Sequence, residues 1–247
     1  LRDILITGGD ALMSSDTSLR KVLDAILEMA IRKRERNFAL QDGEKLAEIV
    51  RVRLGTRMPA YLPQRITPEL IGILAEFRQK AMEAGIRQFV GQTHVESPME
   101  VTPRVKDTVQ RLLKSGWIIT NQHVFTAASS RRGHTAKLRQ VLCEIGVLPY
   151  YTFSVKGYME NYSTFATNAR AVQEQVEEKV FGTVPERYVQ RITNLTEDPG
   201  YMDEHLQAIM HESGLPFLAT DRNVLNLPGV GKSLTYRVIG ITRYGRR

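Results

Sequence analysis

The sequence predicts an α/β fold built on a parallel sheet. Strand-like apolar runs recur at 3–7, 48–54, 87–93, 117–124 and 148–154. Stretches of helical period lie between them. Helix start and stop signals punctuate those stretches: Thr67-Pro68 and Thr102-Pro103 at starts, and Gly85, Gly116 and Gly146 at ends. Strands alternating with helices favour parallel pairing through right-handed crossovers. A doubly wound sheet and a (β/α) barrel both satisfy this rhythm.

The first strand-like run, DILIT, is followed by an amphipathic stretch from Ser18, for which Asp16 and Thr17 are the candidate caps. Residues 34–48 read as an insertion or an extended helix leading to the second strand. The next two helical stretches carry Pro at the first helical position, where its missing N–H costs nothing. A fourth, HTAKLRQVLCEIG, leads to LPYYTFS. Beyond residue 155 the rhythm changes to a polar helical stretch (167–182), then PERYVQRITNLTEDPG and MDEHLQAIMHESG. PFLAT and LTYRVIGI read as further strands. The predicted organisation is a sheet domain over 1–156 and a C-terminal segment over 157–247. Leu1 enters a strand-like run at once, so the chain is expected to be a piece of a longer protein, with material missing upstream.

Composition bounds the function. A chain of 247 residues with 42% hydrophobic and 25% charged residues is that of an ordinary globular protein. No apolar run approaches the roughly 20 residues that span a bilayer. The single cysteine, Cys143, excludes an internal disulfide framework and any multi-cysteine metal site within these residues. It sits in an apolar run and reads as a core residue, and this cysteine usage suits the cytoplasm. The net charge of +7 is carried largely by arginine, as in RKRER at 32–36 and SRRGH at 130–134. Such a balance fits nucleic acid, but equally phosphate-bearing cofactors and anionic substrates. RKRER reads as a solvated helix end.

In folds of this kind functional groups gather at the C-terminal ends of the strands. Four such ends are polar: Thr7-Gly8-Gly9-Asp10, Gly55-Thr56-Arg57, Gln92-Thr93-His94 and Asn121-Gln122-His123. Paired glycines let backbone approach a ligand closely, and Asp10 can accept from an ammonium group. Asn121 and Gln122 can satisfy backbone or bind ligand. Near the other end, Lys232 follows the turn Pro228-Gly229-Val230-Gly231. A lysine there can form a Schiff base if its surroundings lower its pKa. A phosphate-binding P-loop needs Gly where this chain has Asn226. A helix-hairpin-helix nucleic-acid motif needs a helix after the turn, where LTYRVIGI alternates like a strand.

TGGDAL (7–12), GTRMPAYLPQRITPEL (55–70), NQHV (121–124), PYY (149–151) and PGVGK (228–232) recur in this order along the chain. In this the sequence resembles lysine 2,3-aminomutase and its relatives, radical S-adenosylmethionine (SAM) enzymes that also use pyridoxal phosphate. The resemblance implies a partial parallel (β/α)6 barrel lacking its first strand here, with a C-terminal extension carrying the pyridoxal phosphate lysine. The missing strand and its CxxxCxxC loop, which ligates a 4Fe-4S cluster, would lie upstream of Leu1. Gly8, Gly9 and Asp10 match the turn that binds the methionine end of SAM. Gln122 matches a glutamine near the adenosyl group. Lys232 matches the catalytic lysine that holds pyridoxal phosphate, in a turn one residue shorter than in the lysine enzyme.

The departures bear on substrate. Where the lysine enzyme holds its substrate's distant ammonium with two aspartates, this chain has Lys156 and Asn226, Asp221 being the alternative partner of the second position. A cation there repels lysine and attracts a carboxylate, and glutamate 2,3-aminomutase is similar in having Lys and Asn. The resemblance therefore implies an amino-acid 2,3-aminomutase, an isomerase acting on an acidic, glutamate-like substrate. It further implies a reducing electron donor such as flavodoxin or ferredoxin, a homo-oligomer, and no membrane association. The family's zinc-binding cysteine is absent, with Arg131 near its position, and no metal ligands are assigned within the chain. The rival readings are a basic nucleic-acid-binding module with a hairpin at PGVGK, and a relative that keeps the barrel without catalysis.

Overall fold

The structure is a computed structural model that describes residues 1–153, 163–166, 170, 173–174, 178–195 and 197–219. Five strands form one wholly parallel sheet: β1 (Asp3–Ile6), β2 (Arg51–Gly55), β3 (Gln88–Thr93), β4 (Ile118–Val124) and β5 (Leu148–Phe153). Their order in space is their order in sequence. A doubly wound sheet reverses direction at a switch point, and the sequential order lacks one, which is consistent with a partial barrel.

Among the described residues, five longer helices carry the crossovers and the C-terminal region: α1 (Asp16–Phe38), α3 (Pro68–Glu83), α4 (Pro103–Lys114), α5 (His134–Glu144) and, further on, α7 (Met202–Ser213). Two shorter ones are α2 (Met58–Tyr61) and α6 (Glu186–Leu195). Thr67 and Thr102 accept the backbone N–H of Leu70 and Val105, as their position before Pro predicts. At α1 the cap is Ser15, which accepts from Ser18, and Asp16 lies already in the first turn. The helix runs on to Phe38, so the stretch after residue 34 begins as extended helix. Buried Asn37 then receives Leu46 N–H and donates to Leu46 C=O, folding the connection back.

The basic run at the end of α1 is more than a solvated surface. Lys33 donates to the carbonyls of Leu1 and Ala47, and Arg34 to Glu83 C=O at the end of α3.

Strand alternation sorts the sheet into two faces. Val52, Leu54, Phe89, Gly91 and Ile119 face the helices. Phe77 of α3 meets Phe89 edge-on, and Phe89 meets Trp117 in the same way, their centroids 6.0 and 5.6 Å apart. Burying such rings supplies the dominant favourable term in folding. Leu195, Met202, Leu206, Ile209 and Leu218 belong to the same hydrophobic core as the sheet. Cys143 is wholly buried, its thiol donating to Leu218 C=O, and burial pushes that thiol up to about 12. PFLAT does not extend the sheet: Ala219 makes an isolated parallel bridge to Thr183. LTYRVIGI lies outside the described residues. Among the described residues no helix is long and apolar enough to cross a membrane.

Candidate functional site

The opposite face of the sheet is polar. Arg53 of β2 donates to Asp3 of β1 at 2.9 Å and to Gln92 of β3 at 3.3 Å. Arg51 donates to Gln88 at 2.6 Å. These cross-strand pairs follow from the parallel register, which sets Asp3 beside Arg51 and Arg51 beside Gln88. They leave a polar wall lined by donors and acceptors, with the C-terminal strand ends as its rim.

Four strand ends make that rim. After β1, Gly8 and Gly9 take φ of +110° and +72°, a region that L side chains rarely adopt, and no atom lies within 4 Å of where either Cβ would stand. The turn is exposed, and its backbone is open to a ligand. Asp10 holds it in place. One carboxylate oxygen accepts from Leu12 N–H at 3.0 Å and from the Thr56 hydroxyl at 2.6 Å, and the other accepts from Arg57 N–H at 2.5 Å. The side chain read as an ammonium acceptor thus ties the first rim loop to the second. Arg65, from the LPQRITPEL string, donates to the carbonyls of Leu12 and Ser14 and pairs with Asp16, fixing the far side of the same loop.

At β4 the adjacent amides part. Asn121 faces the helices and is consumed by backbone: it accepts from Val95 N–H at 2.7 Å and donates to Val95 C=O at 2.9 Å. Gln122 lies on the polar face with Thr120, half-buried, and its amide has no partner among the described residues. Asn121 therefore takes the backbone role, while the Gln122 side chain is left without one.

The loop after β3 supplies groups that no motif marked. Glu96 accepts from Val124 N–H at 2.9 Å, and the same oxygen lies 3.5 Å from His123 Nε2. Burial pushes the Glu96 carboxyl up to about 7, with Glu100 nearby adding to the rise. Burial drives His123 down to about 3, so its imidazole is neutral at physiological pH. His94 is also lowered, by burial and then by Arg57. Glu100 is raised, again chiefly by burial. Glu96 and Glu100 lacked any signal in the sequence, and the packing of their loop against β4 brings Glu96 to His123, which the polar strand end had marked.

Lys156, Asn226, Asp221 and Lys232 lie outside the described residues, as does the turn PGVGK. Near the position of the family's zinc ligand, Arg131 begins the turn into α5, its carbonyl accepting from His134 N–H. Among the described residues no three His, Cys, Asp or Glu side chains group as a metal site.

A wholly parallel sheet wound in sequence order is consistent with a partial (β/α) barrel, a class in which the C-terminal strand ends usually carry function. Comparison with known proteins narrows the class. No protein-family model matches the chain. An uncharacterized KamA family protein of Methanocaldococcus jannaschii is 39% identical over 176 residues, 71% of this chain and 24% of that protein. Glutamate 2,3-aminomutase of Clostridioides difficile is 31% identical over 157 residues, 63% of this chain and 31% of that one. L-lysine 2,3-aminomutase of Clostridium subterminale is 30% identical over 154 residues, 62% and 31% of the two chains. The chain belongs to the KamA family. Its aligned stretches span about a quarter to a third of the length of these relatives.

Proposed function

We propose that this chain is the SAM-binding and substrate-binding part of a radical SAM 2,3-aminomutase acting on an acidic, glutamate-like amino acid. The observation that carries the reading is the rim: the open Gly8-Gly9 turn and the free Gln122 amide share one strand-end edge. That pairing suits SAM, whose methionyl end would meet the glycine backbone and whose adenosyl group would meet Gln122. The family resemblance adds pyridoxal phosphate on Lys232 and a 4Fe-4S cluster. The described residues do not fit a cluster themselves, since Cys143 is buried and without a ligand set.

When bound, SAM and its cluster supply a hydrogen-abstracting radical, and pyridoxal phosphate carries the migrating amino group. The chain's own residues bind and orient. Asp10 keeps the glycine turn in its open conformation through Thr56 and Arg57. Asn121 fixes the strand end from behind, so that Gln122 projects to the polar side. The Asp3–Arg53–Gln92 network keeps the wall polar. Lys156 and Asn226 would fix the side-chain end of the substrate, and Lys156 favours a carboxylate there over an ammonium. The net reaction is an isomerisation: the amino group moves from C2 to C3 and a hydrogen from C3 to C2. A flavodoxin- or ferredoxin-like donor would reduce the cluster, and assembly as a homo-oligomer in the cytoplasm is part of the same reading.

Calorimetric binding of SAM to the full-length protein tests the rim. Gln122→Leu is expected to weaken binding about tenfold, the loss of one buried hydrogen bond. Unchanged affinity would remove Gln122 from the site.

A further inference from the structure

We propose that Glu96 is a positioning residue that seats the end of β4, and with it Gln122, on the rim. The inference rests on the reading of Gln122 as a ligand-facing residue and adds the device that holds it. Both sequence neighbours of Gln122 are clasped by one loop. On one side, Asn121 makes two hydrogen bonds to the backbone of Val95. On the other, Glu96 accepts from Val124 N–H and lies against His123. Gln122 is left between them with its amide free. The Glu96 carbonyl is also 3.0 Å from His134 Nε2, which adds the start of α5 to the same clasp.

The chemistry of the pair makes the clasp depend on a proton. Glu96 Oε1 and both His123 nitrogens are buried without hydrogen-bond partners. A protonated Glu96 has an O–H to offer the neutral imidazole while its oxygen still accepts from Val124. Once ionised, the group becomes a buried charge with no donor on Oε1. The groups that face it are Glu100 from the turn at Pro98–Glu100, Arg57 from the end of β2, His123 from β4 and His134 from α5. Arg139 of α5 acts on His123 from behind. Burial raises the Glu96 carboxyl and Glu100 adds to the rise, while the Val124 N–H and Arg57 oppose it, leaving it at about 7.

The test uses full-length protein, SAM as the probe, and the variants Glu96→Gln and Glu96→Ala. Glutamine is a neutral isostere of the protonated acid: its amide oxygen can take the Val124 N–H, and it carries no charge at any pH. SAM itself titrates, so the quantity read is the ratio of dissociation constants, wild type over E96Q, across the neutral range. The ratio is expected to rise by about threefold or more as Glu96 ionises. E96A is expected to bind about tenfold more weakly than wild type on the acid side of neutrality, while E96Q matches wild type there. An equal pH profile in wild type and E96Q, or full affinity in E96A, overturns the proposal. The clasp is also read without ligand, from the Val124 amide resonance in selectively 15N-valine-labelled protein assigned through Val124→Ile. A titration near pH 7 that disappears in E96Q supports the clasp, and one that persists in E96Q overturns it. If wild type binds no SAM at any pH, the reading of Gln122 fails, and the Val124 resonance still decides on Glu96.

Discussion

The Thr56 hydroxyl donates to the Asp10 carboxylate across 2.6 Å, joining the loop after β1 to the end of β2. Thr56 is 4% exposed, and its hydroxyl also accepts from Met58 N–H. The glycine turn therefore owes its shape to a buried bond made elsewhere. Asp10→Ala strands three donors at once and is expected to cost about 2–3 kcal/mol in urea unfolding of the full-length protein. Thr56→Val, which removes a single hydroxyl, is expected to cost about 1 kcal/mol. Equal losses for the two variants would show that Asp10 does not anchor the turn through its other bonds.

Glu96 and His123 give stability a signed dependence on pH. The Glu96 carboxyl is raised from 4.5 to about 7 in the folded chain, so the stability it contributes is full below about 4.5 and is lost as pH rises through 7. His123 is lowered from 6.5 to about 3, so its contribution is present above about 6.5 and is lost as pH falls towards 3. The two trends oppose one another between 4.5 and 6.5. The difference in unfolding free energy, wild type minus E96Q, should fall steadily from about pH 4.5 to about pH 7 and be flat outside that window. A difference that is flat throughout would place the Glu96 ionisation elsewhere.

Arg139 and Glu174 form an ion pair with side chains 4% and 0% exposed, the guanidinium also lying over Phe217. Removing one partner leaves a buried charge uncompensated. Glu174→Ala is expected to destabilise by about 3–5 kcal/mol, and the double change Arg139→Met with Glu174→Leu by much less. Chemical denaturation of the single and double variants measures both. A double variant as unstable as the single one would mean that packing, rather than charge, fixes this site.

At the other end of the chain, the role of Lys232 is a matter of absorbance. Lys232→Ala in the full-length protein is expected to lose the long-wavelength band acquired with pyridoxal phosphate. Retention of that band would assign the cofactor to another lysine.

Strand positions were legible because each is a short apolar run, and helix starts because Thr-Pro is an unambiguous local signal, as at Thr67 and Thr102. The choice between barrel and doubly wound sheet was not, since both share one linear pattern and differ only in which strands become neighbours. At the rim, the glycine turn was visible as Gly8-Gly9, while the bonds of Asp10 to Thr56 and Arg57, 46 and 47 positions away, were not. Asn121 and Gln122 are chemically alike and adjacent, and strand alternation alone sends one to the backbone and the other to the polar wall. Glu96 carried no motif at all: its significance arises from burial beside His123, which only the folded chain creates. PFLAT had strand composition, but its bridge partner is Thr183 rather than β5.

The substrate claim is tested most directly by product analysis. Full-length protein is incubated with SAM, pyridoxal phosphate and a reductant, with glutamate and lysine offered together, and β-amino acid products are quantified by mass spectrometry. β-Glutamate is expected in clear excess, with Lys156→Asp reversing or abolishing that preference. Formation of β-lysine without β-glutamate would contradict the assignment of an acidic substrate.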